Sequence, residues 1–252
     1  TCKVTDKTRI NNICQMHLYR NNKNGSFTNV SNEAGLKHAV YAMGANFGDV
    51  DNDGFLDMYL ATGNPEFESL VPNRLFKNSA DGKFTDVTVA ARVGNLQKGH
   101  GVAISDMDND GDQDIFVEIG GAFPGDFFHN SFYLNPGQNN NNWIQVLLEG
   151  NDSNKAAIGS RIKISISENG TKRDIYRDVN SGGSFGSSSL RKDIGLGSAA
   201  IIDELTITWQ KSQKKEVFYN IPVNQRLKIK EGENKITKIE LTPLRFFGDS
   251  TK

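Results

Sequence analysis

The feature that most constrains this chain is a phrase that occurs twice. "GDVDNDGFLDMYL" (Gly48–Leu60) places Asp49, Asp51, Asp53 and Asp57 within nine residues, and "ISDMDNDGDQDIFVEIG" places Asp106, Asp108, Asp110 and Asp114 at the same spacing, offset by 106 − 49 = 57. A second landmark keeps that offset: "LYRNNKNGSFTNV" begins at Leu18 and "LFKNSADGKFTDV" at Leu75, and 75 − 18 = 57. "FYLNPG" at Phe132 continues the series (132 − 75 = 57) and reads as the start of a third unit, with no third aspartate cluster after it. Two landmarks with one offset define an internal repeat. A unit of this length that cannot bury both of its faces alone needs neighbours.

Crowded carboxylates repel unless a positive charge sits among them. Aspartates at alternate positions of a tight loop can aim at one point, and Gly54 or Gly111 at the sixth position permits the sharp turn. Ca²⁺ takes six to eight oxygen ligands in a flexible shell, whereas Mg²⁺ demands a tighter octahedron and keeps water. The spacing therefore predicts two Ca²⁺ sites. The first uses Asp49, Asp51, Asp53 and Asp57 with the Phe55 backbone carbonyl; the second uses Asp106, Asp108, Asp110 and Asp114 with that of Asp112. A solvated acidic loop is the plainer alternative. An EF-hand needs a glutamate at position 12 and flanking helices. Leu60 and Val117 occupy that position, and the residues after each loop read as strands.

Short β-rich runs bounded by Gly, Asn and Asp predict a nearly all-β chain. The tract "GQNNNNW" (Gly137–Trp143) reads as a linker or loop tip. After it come seven alternating runs, among them "SRIKISISE", "DIYRDV" and "ELTITWQ", which predict a β-sandwich. The expected organisation is calcium-loop repeats over 1–136, a sandwich over 142–232 and a C-terminal strand and tail over 233–252. The chain opens at Thr1 within what reads as a repeat, which implies a processed chain or a fragment.

The first half resembles FG-GAP/VCBS repeats, the calcium-loop blades of integrin-alpha-type β-propellers, over about residues 15–135. The resemblance rests on "GANFGDVDNDGFLDMYLATG" and "GVAISDMDNDGDQDIFVEIGG". It implies a partial propeller in which positions one, three, five and nine ligate Ca²⁺ by side chain and position seven by backbone. Residues 142–232 resemble the ASPIC/UnbV domain through "NNWIQVLLEGNDSNKAAIGSRIKI", "VNSGGSFGSSS", "DIGLGSA" and "IDELTITWQ". "WQKSQKKE" stands where that family has a Pro-Ser-Gly turn. Together they resemble the layout of cartilage-acidic-protein-like proteins and their bacterial relatives. That implies a secreted or surface-exposed calcium-binding and adhesion module, periplasmic or outer-membrane-associated in a bacterium. A glycan is one ligand consistent with this.

Two motifs mimic catalysis. "GGSFG" (Gly182–Gly186) fits G-x-S-x-G around Ser184, but His17, His38, His100 and His129 all lie upstream and no helix pattern follows. "GLGSAA" (Gly195–Ala200) fits a dinucleotide glycine motif without its helix and reads as a turn with tight backbone packing. His129, in an aromatic loop, is a candidate for a binding surface. No enzyme is expected; an enzyme with a site in a propeller channel and a structural subunit of a larger surface assembly are the alternatives. A net charge of −1 gives no electrostatic case for nucleic acid, and no apolar run is long enough for a transmembrane helix. Missing blades predict that the first repeat packs against N-terminal blades or a protein partner. Cys2 and Cys14 either form a disulfide or remain reduced. Sequons begin at Asn24, Asn29, Asn151 and Asn169.

Overall fold

A computed structural model describes residues 16–38, 40–63, 71–121, 123–125, 128–137, 139–182 and 185–246. Cys2, Cys14 and Ser184 lie outside the described residues, so the disulfide and nucleophile readings cannot be placed. No helix occurs among the described residues.

The repeat becomes two blades. The first is an antiparallel sheet of β3 (Ala42–Gly48), β4 (Asp57–Thr62), β5 (Arg74–Asn78) and β6 (Phe84–Asp86), in that spatial order. The second is β7 (Gly99–Ser105), β8 (Asp114–Ile119) and β9 (Ser131–Tyr133). Each of its strands starts 57 residues after its counterpart (99 − 42, 114 − 57 and 131 − 74). The hairpin of β1 (Tyr19–Asn21) and β2 (Phe27–Asn29) corresponds to β5 and β6 by the same shift. The repeated phrase is thus the outer part of each blade. The copy at Phe132 supplies the third strand of the second blade and does not open a third unit, which corrects the phase read from the sequence.

Strand β4 shows why alternation in "DMYLAT" gives two buried faces. Met58 and Leu60 point one way, into a cluster with Phe76, Ala34 and Leu36 beside the hairpin. Tyr59 and Ala61 point the other way, onto Val102, Ile104, Ile115 and Val117 of the second blade. The first blade is therefore packed on both sides, as a propeller blade requires.

The second half is a sandwich of two four-stranded sheets. One has the order β13 (Lys192–Gly197), β10 (Asn142–Glu149), β16 (Gln225–Lys230), β17 (Ile236–Ile239), with β10 and β16 parallel. The other is β12 (Thr171–Asp178), β11 (Arg161–Glu168), β14 (Ile201–Thr208), β15 (Lys215–Pro222). Ile162, Ile164 and Ile166 alternate inward against Leu205, Ile207 and Trp209, all fully buried. The Trp209 indole N–H donates to Glu216 at 3.1 Å, so the buried ring keeps its polar edge satisfied.

Two sequence readings need correction here. Gly195 and Gly197 lie in strand β13, not in a turn; the tight packing foreseen there does hold, because a Cβ on Gly195 would meet the Asn52 backbone at 2.2 Å. The asparagine tract is more than a linker: the Asn139 and Asn141 amides both donate to the Asp51 carbonyl, at 2.6 and 2.8 Å.

Gly186, the last glycine of "GGSFG", also acquires a structural reason. The Val102 N–H donates to the Phe185 carbonyl, and a Cβ on Gly186 would lie 2.1 Å from the Val102 oxygen. Phe185 and Gly186 lie backbone to backbone on Val102 of strand β7.

Candidate metal centre

Each aspartate loop joins the first two strands of its blade. At the fourth and sixth positions the backbone is left-handed: Asn52 (φ 56°) and Gly54 (φ 93°) in one loop, Asn109 (φ 64°) and Gly111 (φ 107°) in the other. Asn and Gly tolerate that region best, so the repeated D-N-D-G builds the turn itself. The first aspartate then accepts the sixth residue's N–H, Gly54 on Asp49 and Gly111 on Asp106. The ninth closes the loop: Asp57 accepts from Val50 and Asn78 N–H, and Asp114 from Met107 and Asn135 N–H, all at 2.8–3.0 Å.

Carboxylate oxygens of Asp49, Asp51 and Asp57 lie within 4.8 Å of one another, as do those of Asp106, Asp108 and Asp114. Both clusters could hold a metal ion. The fifth-position carboxylates do not join them. Asp53 accepts the Phe55 N–H at 2.8 Å and Asp110 the Asp112 N–H at 2.9 Å, short local turns; Asp108 makes a longer one, to the Asp110 N–H at 3.2 Å, and stays in its cluster. The Phe55 ring lies 5.1 Å from the Arg173 guanidinium, and the Asp112 carboxylate accepts from the Asn52 amide at 2.7 Å.

The residues fit a hard cation. The donors are all oxygens, and Asp51 Oδ1 is buried with no hydrogen-bond partner among the described residues. Burial, with neighbouring carboxylates adding to it, pushes Asp57 up to about 8; burial likewise takes Asp49 to about 7 despite the Arg177 charge. In the second loop burial and then Asp110 raise Asp108 and Asp112 to about 6. Lys77 forms an ion pair with Asp51 in the first loop, whereas its counterpart by the 57-residue shift is Leu134, so the loops are not equivalent.

Several residues around the loops escaped the sequence reading. Four sandwich arginines reach them. Arg177 Nη2 lies 3.3 Å from Asp49 Oδ2 and donates to the Gly54 carbonyl; Arg226 Nη2 lies 3.1 Å from Asp106 Oδ2 and donates to the Asn109 carbonyl. Arg173 and Arg191 donate to the Asp53 and Asp106 carbonyls. Gln113 bridges to the Asp49 backbone from the second loop. One signal was readable: Arg173 and Arg177 flank buried Ile175 on one face of β12, an odd place for two cations unless that face meets acid. Another was the recurring asparagine of the outer phrase; the Asn78 and Asn135 amides donate to the Leu56 and Gln113 carbonyls.

The raised carboxylates set a pH dependence. In the calcium-free protein Asp49 and Asp57 hold protons near pH 7–8 that the unfolded chain releases near pH 4. Their contribution to stability is complete below pH 4 and is lost as pH rises through 7 to 8. Thermal melts in chelator should therefore show a falling Tm from pH 6 to 9, and the rise produced by calcium should be larger at pH 8 than at pH 5.5. A chelated protein that gains stability over that range would contradict the arrangement. Carboxylates held low, such as Glu231 at about 2, titrate below this window.

Blade-like repeats, paired acidic loops and an appended sandwich define a class, and comparison with known proteins agrees with it. Residues 9–60 and 62–117 match the FG-GAP-like repeat, and residues 150–236 match ASPIC and UnbV. The chain thus carries FG-GAP-like repeats followed by an ASPIC and UnbV domain. Cartilage acidic protein 1 of Xenopus tropicalis is 34% identical over 89 residues, which is 35% of this chain and 13% of that protein. The chain therefore matches only a small part of that relative's length. No helix among the described residues is long and apolar enough to cross a membrane.

Proposed function

We propose that the chain is a calcium-stabilised, non-catalytic binding and adhesion module of the extracellular space or cell surface. The observation that carries this is the repeated carboxylate triad with its unpartnered, buried Asp51 oxygen. Asp49, Asp51 and Asp57 would hold one Ca²⁺, and Asp106, Asp108 and Asp114 the other. The ion neutralises the carboxylates; the chain's own residues fix the loop, and the arginines seat the sandwich on it. The extracellular assignment draws on the repeats and on the cartilage relative.

A second reading concerns partners. In the first blade Phe76 is fully buried, while its hairpin counterpart Tyr19 is 57% exposed; Phe27 is 63% exposed. An unpaired aromatic hairpin favours packing against further blades or a partner chain, as in a larger surface assembly.

The calcium reading has a built-in reporter. The Trp143 indole packs on Gly111 of the second loop, and Trp209 is fully buried in the sandwich. Calcium should change tryptophan fluorescence, Asp108→Ala should abolish the change and Asp51→Ala should leave it. An unaltered spectrum at millimolar calcium would count against the second site.

A further inference from the structure

A cavity of about 330 Å³ lies where the inner strands of both blades meet the sandwich, outside the carboxylate triads. Its charged lining residues are Arg177, Arg191, Lys192, Asp178 and Asp193. Four of the five are engaged with one another or with groups outside the cavity. Asp193 is taken by Arg191 at 3.1 Å and by the Ser105 hydroxyl, Asp178 by Arg161 at 2.8 Å, and Arg177 by Asp49.

Lys192 is the exception. It is 8% exposed, and its ammonium donates only to the neutral carbonyls of Asn180 and Ser189, at 2.7 and 2.9 Å. No carboxylate forms an ion pair with it among the described residues. A buried ammonium with no ion-pair contact is costly, and burial holds its pKa below the usual lysine range although the Asp193 charge acts the other way. Arg177, which also lines the cavity, has a buried Nε–H with no hydrogen-bond partner among the described residues. Phe47 and Tyr176, 48% and 51% exposed, add apolar surface to the lining.

We propose that this cavity binds a small ligand through an oxyanion (carboxylate, sulfate or phosphate), with Lys192 as its charge partner and Arg177 Nε as a further donor. The volume is at the small end of ligand pockets, which suits a single sugar acid or an inorganic anion and excludes a long chain. The oxyanion supplies the ion-pair contact that Lys192 lacks among the described residues, and the two rings offer a face to the body of an organic ligand.

Titration calorimetry in a buffer where circular dichroism shows the folded chain tests this, with sodium glucuronate, sulfate and phosphate against glucose at matched ionic strength. At least one oxyanion should bind saturably and glucose should not. Preference for glucuronate identifies an acidic sugar, and preference for sulfate or phosphate identifies the free anion. Lys192→Met should weaken binding by about thirtyfold or more, since it removes the charged partner of a buried pair. If that variant fails to fold, Tyr176→Glu decides: a carboxylate at this partly exposed lining position should weaken binding about tenfold. No saturable oxyanion binding, equal binding of glucose, or undiminished affinity in the deciding variant overturns the proposal.

Discussion

Replacing Gly195 by alanine should be among the most damaging single substitutions in this chain, costing about 3 kcal/mol or more in urea denaturation. The new Cβ would sit 2.2, 2.4 and 2.5 Å from the carbonyl carbon, Cα and oxygen of Asn52. These are backbone atoms of the first aspartate loop and cannot swing aside as a side-chain tip would. Either β13 leaves its place beside β10 or the loop moves, and both break contacts that span the two halves. Gly195 N–H donates to Asp49 Oδ2 at 2.9 Å, and Gly197 N–H donates to the Asn52 carbonyl at 2.9 Å. Losing the first leaves a buried carboxylate short of a donor. Gly182→Ala is the matched control, since a Cβ there meets nothing within 4 Å, and it should cost under about 1 kcal/mol. Equal stability of the two variants would show that the sandwich is not seated on the loop.

The second large effect is calcium removal. A ligand at a hundredfold its dissociation constant stabilises by about 2.7 kcal/mol, so two sites together supply about 5. For a chain of this size that corresponds to a fall in Tm of about 10–20 °C on chelation if the halves unfold as one. Asp51→Ala and Asp108→Ala should each remove about half of the shift. They are the better probes because the Asp57 and Asp114 carboxylates each hold two backbone amides and their loss would damage the loop with or without calcium, whereas Asp108 accepts one long bond, from the Asp110 N–H at 3.2 Å. The exposed Asp81, outside both loops, serves as the control.

The blades were legible because their determinants are local and repeated: the D-N-D-G turn, the alternating strand after it and the constant offset. Alternation likewise revealed β11, where isoleucine recurs every second residue, and the end of β14, where Leu205 and Ile207 lead to Trp209 at the same spacing. Strand β13 was not legible, because "KDIGLG" combines two glycines with a buried lysine and its pattern serves contact with Asn52 rather than core packing. Within the site, sequence spacing places four carboxylates per loop, whereas the structure gathers three; Asp53 and Asp110 bond the backbone N–H two residues on at 2.8 and 2.9 Å, while Asp108 makes the same bond at 3.2 Å and stays in its triad, and spacing reveals neither outcome. The arginines were beyond reach for another reason. Arg177 and Asp49 are 128 residues apart, as Arg226 and Asp106 are 120, so their meeting depends on how the two halves dock.

The central claim is that each aspartate loop is a calcium site. Calcium titration calorimetry on the intact chain measures this most directly. Two ions per chain are expected, with one remaining in Asp51→Ala and one in Asp108→Ala. No calcium uptake at millimolar concentration, or an unchanged stoichiometry in both variants, would contradict it.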